Sequence, residues 1–192
     1  MAAPGALILA GPNGAGKTTA SGVLVPAGTE FLNSDVIAAR LLEQGRPPGG
    51  VEVTAGRELL GQLQGLVAAG ESFCIETNLA GRGLLRWIEE WHGRGYVVRL
   101  VFTALDSPEL ALTRVAIRVA LGGHDVPEAV VRRRWASGLR SFFSLYMTVV
   151  DEWVLFDNSG QRLQEVASGT RDDPAPRIVD RQRWVQLRSL AV

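Results

Sequence analysis

Residues 6–18 read Ala6-Leu7-Ile8-Leu9-Ala10-Gly11-Pro12-Asn13-Gly14-Ala15-Gly16-Lys17-Thr18. A short apolar run thus enters a stretch that fits G-x-x-x-x-G-K-[ST] without a mismatch. Each part of that stretch has a physical reason. The glycines let the backbone curl until successive N–H groups point at phosphate oxygens. A helix expected over Lys17–Val25 adds its positive N-terminal end. The Lys17 ammonium can reach β- and γ-phosphates, and the Thr18 hydroxyl can ligate Mg²⁺. Gly11, Pro12, Asn13, Gly14, Ala15, Gly16, Lys17, Thr18 and Thr19 form the nucleotide-binding set read from this stretch. It points to a nucleoside triphosphate, without saying what reaction follows.

A glycine-rich turn carrying an incidental lysine is the alternative. Composition weighs against it. Of the 20 basic residues, 19 are arginine, and Lys17 is the one lysine. A coding bias toward arginine accounts for the rest of the chain. Where lysine persists against that bias, arginine does not serve.

Working outward, apolar runs and turn signals alternate regularly. Strands are expected at Ala6–Ala10, Glu30–Leu32, Ser72–Ile75, Tyr96–Thr103 and Trp153–Phe156. Helices are expected at Lys17–Val25, Val36–Leu42, Val53–Ala69 and Leu84–Trp91. Ser107 and Pro108 read as the N-cap and first position of a helix running to about Leu121. Pro127 opens another that continues into Tyr146. Beyond Asn158 the pattern weakens: Arg171–Pro176 looks like a loop and Asp180–Leu190 like a terminal helix.

This order gives an α/β fold: a parallel five-stranded sheet flanked by helices, with a helical, arginine-rich lid. Right-handed crossovers bring the carboxyl ends of the strands to one edge, outside which ligands bind. Gly11–Thr18, Asn33–Asp35, Glu76–Asn78, Asp106–Pro108 and Asp157–Ser159 should converge there. Residues 1–160 are read as the main domain, with the lid over about 107–140. Residues 161–192 are read as an extension packing on the same domain.

Composition narrows the classes further. The chain has 192 residues, 46% hydrophobic and 21% charged, with 20 basic against 20 acidic side chains. Dominant disorder is excluded, and a neutral chain is not built around a nucleic-acid or membrane field. A polynucleotide acceptor would want a basic channel, so nucleic acid is not an expected partner. One cysteine, Cys74, leaves no intramolecular disulfide and no cysteine-rich zinc cluster. No apolar run reaches the roughly 18 residues of a membrane span. The opening residues lack a basic leader, and a cytoplasmic setting is expected.

Among triphosphate binders, the N-K-x-D guanine motif needs a second lysine and cannot exist here. No L-S-G-G-Q-like transporter signature is present, and a ring ATPase normally needs more chain. A small phosphotransferase remains, with ATP in the loop and a hydroxyl acceptor beside it. Asp35 ends the second strand, which such sheets set adjacent to the phosphate loop. It is the candidate base for the acceptor hydroxyl, or else it or Ser34 caps the next helix. Asn33 positions substrate or satisfies a turn. Glu76 closes an apolar strand and either holds Mg²⁺ or binds substrate hydroxyls; Thr77 stands with it, or Thr77 or Asn78 caps the loop.

Residues 107–140 carry six arginines against three acids. They read as a lid whose arginine forks neutralise the transferred phosphoryl group, or as a solvated basic face. Arg114 and Arg118 share a helix face. His124 reads as a turn residue, Cys74 as a buried small side chain, and Trp87, Trp91, Trp135 and Trp153 as packing residues. Asp157 and Asn158 flank adenine or make a turn.

Together, GPNGAGKTT, FLNSD, FCIETNLAGRG, SPELALTRVAIRVALGGHDVP, RRR and LFDNSG resemble the zeta-toxin-like family of P-loop kinases. More closely, they resemble its compact, stand-alone bacterial members. The resemblance covers roughly residues 5–160. It implies a P-loop kinase fold that uses ATP and Mg²⁺. Characterised zeta toxins phosphorylate the sugar 3′-hydroxyl of UDP-N-acetylglucosamine. By that likeness Asp35 matches the catalytic base, and Lys17 and Thr18 the phosphate-loop pair. Glu76 and Thr77 match the acceptor pocket, with Asn33 beside Asp35. Thr18 and Glu76 would hold the metal. Arg114, Arg118 and Arg133 would contact phosphate, with Arg118 counted as catalytic alongside Asp35 and Lys17. The chain is shorter than the typical toxin, so the resemblance leaves the acceptor open. A small-molecule acceptor is expected, and an antitoxin-like protein partner is not deducible. The competing reading is an ATP-binding switch module with a protein partner and no small-molecule acceptor.

Overall fold

The structure is a computed structural model, and it describes residues 3–173 and 175–191. Four apolar runs, β1 (Gly5–Ala10), β3 (Phe73–Thr77), β4 (Val97–Ala104) and β5 (Glu152–Asp157), form the middle of the sheet with β2 (Glu30–Leu32). The order is β2-β3-β1-β4-β5, and every pairing within it is parallel. Ile8, Phe73, Val98, Phe102 and Leu155 lie fully buried at its centre, as strands covered on both faces require.

The sheet extends beyond the expected one, for a clear cause. Within the parallel part β3 stands between β1 and β2, pairing Leu9 with Glu76 and Leu32 with Ile75. Among the described residues the sheet has seven strands rather than five. Beyond β5 come β6 (Gln164–Thr170) and β7 (Arg177–Ile178), both antiparallel. The short link from Asp157 to Gln164 holds no crossover helix, so only an antiparallel neighbour can follow.

The helices are α1 (Lys17–Leu24), α2 (Ser34–Glu43), α3 (Val51–Ala69), α4 (Leu85–Gly93), α5 (Pro108–Ala120), α6 (Glu128–Ser144) and α7 (Arg181–Leu190). The α5 start follows the sequence signal: Ser107 accepts from the Leu110 N–H with Pro108 in the first turn. Helix α4 buries Ile88 and Trp91, and Trp91 meets Phe73 edge to face at 5.1 Å.

The two arginine-rich helices are not free-standing. Ala111 and Val115 of α5 and Val131 of α6 are buried with Ala15 and Leu105, a small core beneath the phosphate loop. The far half of α6 joins the main core through Leu139 and Phe142. At the other end, Trp184 of α7 stacks on Trp153 at 6.0 Å and meets Phe143 at 5.2 Å. Trp87 is half-buried on the main core, and Cys74 is buried as expected, with its thiol pushed up to about 12 by desolvation. Among the described residues, no helix is long and apolar enough to cross a membrane.

Candidate active site

The loop between β1 and α1 curls through three glycines at positive φ, Gly11, Gly14 and Gly16, where an added Cβ would lie under 3.0 Å from a neighbouring atom. At Gly11, with φ +145°, an added Cβ would sit 2.3 Å from the Thr103 carbonyl oxygen. At Gly16, with φ +79°, it would sit 2.7 Å from Asn158 Nδ2. Gly16 is also the left-handed N-cap of α1, so the helix opens with its N–H groups facing the loop. Asn158 Nδ2 donates to the Ala15 carbonyl at 2.9 Å, and Arg114 Nη1 donates to the Gly14 carbonyl at 3.4 Å. Asn13, 3% exposed, accepts from Arg134 Nη1 at 3.3 Å.

Lys17 lies inside this curl, 7% exposed. Its Nζ donates to the Pro12 carbonyl at 3.1 Å and stands 3.6 Å from Glu76 Oε1. Burial pushes the ammonium below the ordinary lysine value, while the Glu76 and Asp35 carboxylates pull it back up. The Thr18 hydroxyl donates to Glu76 Oε2 at 2.9 Å. A hydroxyl and a carboxylate beside a phosphate cradle are hard oxygen donors, the set that suits Mg²⁺ when phosphates and waters complete its shell. Among the described residues no cluster of three or more acidic, histidine or cysteine side chains offers a cage of its own.

Asp35 approaches from α2. Asn33 is the helix N-cap, its Oδ1 accepting the Asp35 N–H at 2.8 Å, so the capping role falls to Asn33 and leaves the Asp35 carboxylate free of it. Asp35 Oδ2 lies 3.3 Å from His124 Nε2, across the space between α2 and the loop joining α5 to α6. Arg118 Nη2 donates to the His124 carbonyl at 2.9 Å. Arg118 Nε is buried without a hydrogen-bond partner among the described residues, a donor left for an incoming acceptor.

These groups converge on one cleft of about 480 Å³, lined by Lys17, Thr18, Glu76, Asp35, Arg114 and Arg118 among others. Asn33 and His124 line it too. A second cavity of about 400 Å³ lies at the opposite end of the sheet, against Leu24, Phe73 and Trp153. It gathers few polar groups, so the chemistry belongs to the first.

Several residues singled out in the sequence sit differently from their expected places. Thr77 does not line the cleft; its hydroxyl accepts the Leu79 N–H at 3.1 Å in a local turn. Arg133 is exposed and lines a neighbouring cleft together with Arg134, whose Nη1 also reaches Asn13 of the loop, and Arg132 is tied to Glu109 and Glu128. His124, read as a turn residue, reaches Asp35. Asp157 is braced from outside the parallel strands: Arg183 Nε of α7 lies 2.8 Å from its Oδ2, and the Ser159 hydroxyl donates to Asp157 Oδ1 at 2.5 Å while accepting from Arg183 Nη2 at 2.9 Å.

A parallel sheet of this order, with a phosphate loop after β1 and a carboxylate ending β3, defines a P-loop kinase-like, ATP-binding fold. The chain belongs to the AAA domain family (AAA_33), whose model matches residues 7–145. An uncharacterized protein of Haemophilus influenzae is 28% identical over 130 residues, covering 68% of this chain and 91% of its own. The AvrRxo1-ORF1:AvrRxo1-ORF2 crystal structure with sulphate ions matches 98% of the chain at TM-score 0.76 and 17% identity. The chain spans 65% of that protein's length. The PezAT chromosomal toxin-antitoxin system of Streptococcus pneumoniae matches 82% of this chain and 70% of its own at TM-score 0.63 and 20% identity. A gluconokinase from Sinorhizobium meliloti matches 100% of this chain and 95% of its own at TM-score 0.53 and 16% identity. The shared fold is that of kinases and of the zeta-toxin-like group that the sequence resembles.

Proposed function

We propose that the protein is an ATP- and Mg²⁺-dependent phosphotransferase acting on a small-molecule hydroxyl. The observation that carries this reading is one cleft with Lys17, Thr18 and Glu76 on the loop side and Asp35 on the α2 side. Residues of the loop hold the triphosphate, with Lys17 on the terminal phosphates. Thr18 and Glu76 would hold Mg²⁺, which when bound neutralises phosphate charge. Asp35 accepts the proton of the acceptor hydroxyl as that oxygen attacks in line. Arg114, Arg118 and Arg134 offer donors to the charge that builds on the transferred group.

Residues 1–160 act as the catalytic unit in this reading, with about 107–140 closing over nucleotide and 161–192 bracing it. The sugar of a UDP-N-acetylglucosamine-like molecule is the first acceptor to try, since the sequence resembles the zeta-toxin-like kinases. A mass-spectrometric search for a phosphorylated product, in a metabolite extract given enzyme and ATP·Mg²⁺, tests the reading. A product is expected with the native chain and not with Asp35→Ala, whose ATP affinity should stay nearly unchanged. Equal product from both removes Asp35 from the role.

A second reading is supported by the partnered state of the AvrRxo1 and PezAT structures. In it, ATP occupancy switches the α5–α6 region for an antitoxin-like protein partner. Thermal shift with ATP·Mg²⁺ plus candidate acceptors separates the two. Added stabilisation by one small acceptor favours the kinase, and a protein captured only with ATP favours the switch.

A further inference from the structure

We propose that His124 is a positioning residue for Asp35, a role that rests on the phosphotransferase reading above. A carboxylate turns easily about its last torsion, since sp³–sp² rotations are broad. A base that is free to turn is aligned only part of the time, and alignment is much of what phosphotransfer needs. In this chain the Asp35 backbone is fixed by the Asn33 cap at 2.8 Å. The carboxylate has a second anchor, His124 Nε2 at 3.3 Å from Oδ2. With Oδ2 held by the imidazole, Oδ1 is the oxygen that accepts the proton.

The imidazole is itself set by α5. Arg118 Nη2 holds the His124 carbonyl at 2.9 Å, and the Gly123 N–H bonds the Arg118 carbonyl at 2.9 Å. At Gly123 an added Cβ would lie 2.6 Å from Arg118 Cγ, so the loop and the arginine stem are packed tightly together. The arginine beside the phosphate cradle and the histidine beside the base therefore move as one piece. Phosphate arriving at Arg118 is felt at Asp35 through His124.

In the step itself, the acceptor oxygen bonds to the γ-phosphorus and the bridging bond to the β-phosphate oxygen breaks. ADP leaves with that electron pair, and the acceptor proton passes to Asp35 Oδ1. With water as acceptor the other product is inorganic phosphate. The His124 and Asp35 side chains are 47% and 45% exposed, so their contact adds little to folding. Its loss should therefore be read in turnover rather than in stability.

The test uses the full chain with ATP·Mg²⁺ and water as the probe acceptor. His124→Ala should lower kcat by about tenfold while KM for ATP changes by less than about twofold, the mark of a lost alignment. His124→Gln, whose amide can donate from a similar reach, should recover most of that loss, and both variants should unfold at the native temperature. In the Asp35→Asn background, His124→Ala should cost nothing more, because the two act through one carboxylate. An equal, additive loss in that background overturns the inference, as does native turnover in His124→Ala while Asp35→Asn is dead. Native turnover in Asp35→Asn instead overturns the base assignment and the positioning role together. The chain has two histidines, so proton NMR supplies a readout that needs no turnover. Asp35→Asn should move the His124 imidazole signal and leave that of His92, which pairs with Asp151 at 2.9 Å. An unmoved His124 signal removes the contact and the inference with it.

Discussion

Asn158 Nδ2 donates to the Ala15 carbonyl oxygen at 2.9 Å, which ties the end of β5 to the phosphate loop. The same amide fills the space next to Gly16, so the loop is braced where its curl is tightest. Asn158→Ala should loosen the cradle and cost about 1 kcal/mol of ATP affinity, the usual worth of one such bond. Titration calorimetry checks it; unchanged affinity would make Asn158 a bystander.

Gly11 meets the Thr103 backbone more closely than any side chain allows, at a φ that L-residues avoid. Gly11→Ala should destabilise the fold by about 3 kcal/mol, combining overpacking and backbone strain. Urea unfolding measures this directly. A variant as stable as the native chain would mean that β1 and β4 can separate at little cost.

Lys17 is buried at the edge of the cleft, its Nζ on the Pro12 carbonyl and beside Glu76. Lys17→Ala should abolish the stabilisation that ATP·Mg²⁺ gives, about 2.7 kcal/mol at a hundredfold excess over Kd in the native chain. Lys17→Arg should fail to restore it, because a planar fork does not reproduce the compact ammonium that meets the Pro12 carbonyl and Glu76. A thermal-shift series with both variants decides this, and full rescue by arginine would show that charge alone suffices.

The three consecutive arginines of α6 should separate sharply. Arg134→Ala should weaken ATP binding several-fold, since it removes the fork that contacts Asn13. Arg133→Ala should leave ATP binding within about 0.5 kcal/mol of native, as exposed positions usually do. Calorimetric titration of both variants compares them; the reverse ranking would place Arg133 on the phosphates.

Asp151 should set an acid limit to stability. Burial pushes its carboxyl up, but the Val98 N–H, His92 and Arg171 together outweigh that and hold it below 3.8. A depressed folded value stabilises the native state above the unfolded pKa, and the gain is lost as pH falls through the folded value. The native chain should therefore lose stability below about pH 4, near the ordinary carboxylate value. Asp151→Asn should be less stable at pH 7 and nearly flat through that window. Thermal midpoints from pH 7 down to pH 3 distinguish the two curves.

Much of the architecture is legible in the sequence because strand ends coincide with turn residues. The Ser107–Pro108 signal places the start of α5 where the structure has it. Helix α2 begins two residues earlier than the apolar spacing suggests, because Asn33 rather than Ser34 or Asp35 supplies the cap. Strand order is not encoded locally, so the place of β3 between β1 and β2 is seen only in the fold. Strand β6 is hidden by its small residues: at Gly169 a Cβ would lie 2.7 Å from Trp153, so the partner's ring supplies the bulk. For the site, the phosphate loop, Asp35 and Glu76 follow from motif and position. Arg134 could have been found from helical phase, since it follows the buried Val131 by three residues. His124 could not: its contact with Asp35 spans two elements and leaves no local trace.

A single lysine, buried beneath a loop, also makes the chain a natural chemical clock. Amine-directed reagents find no other side-chain target in this sequence. Acylation at Lys17 requires the cradle to open, so its rate reports how often that happens. A nucleotide in place should silence the labelling, and each variant that slackens the loop should hasten it.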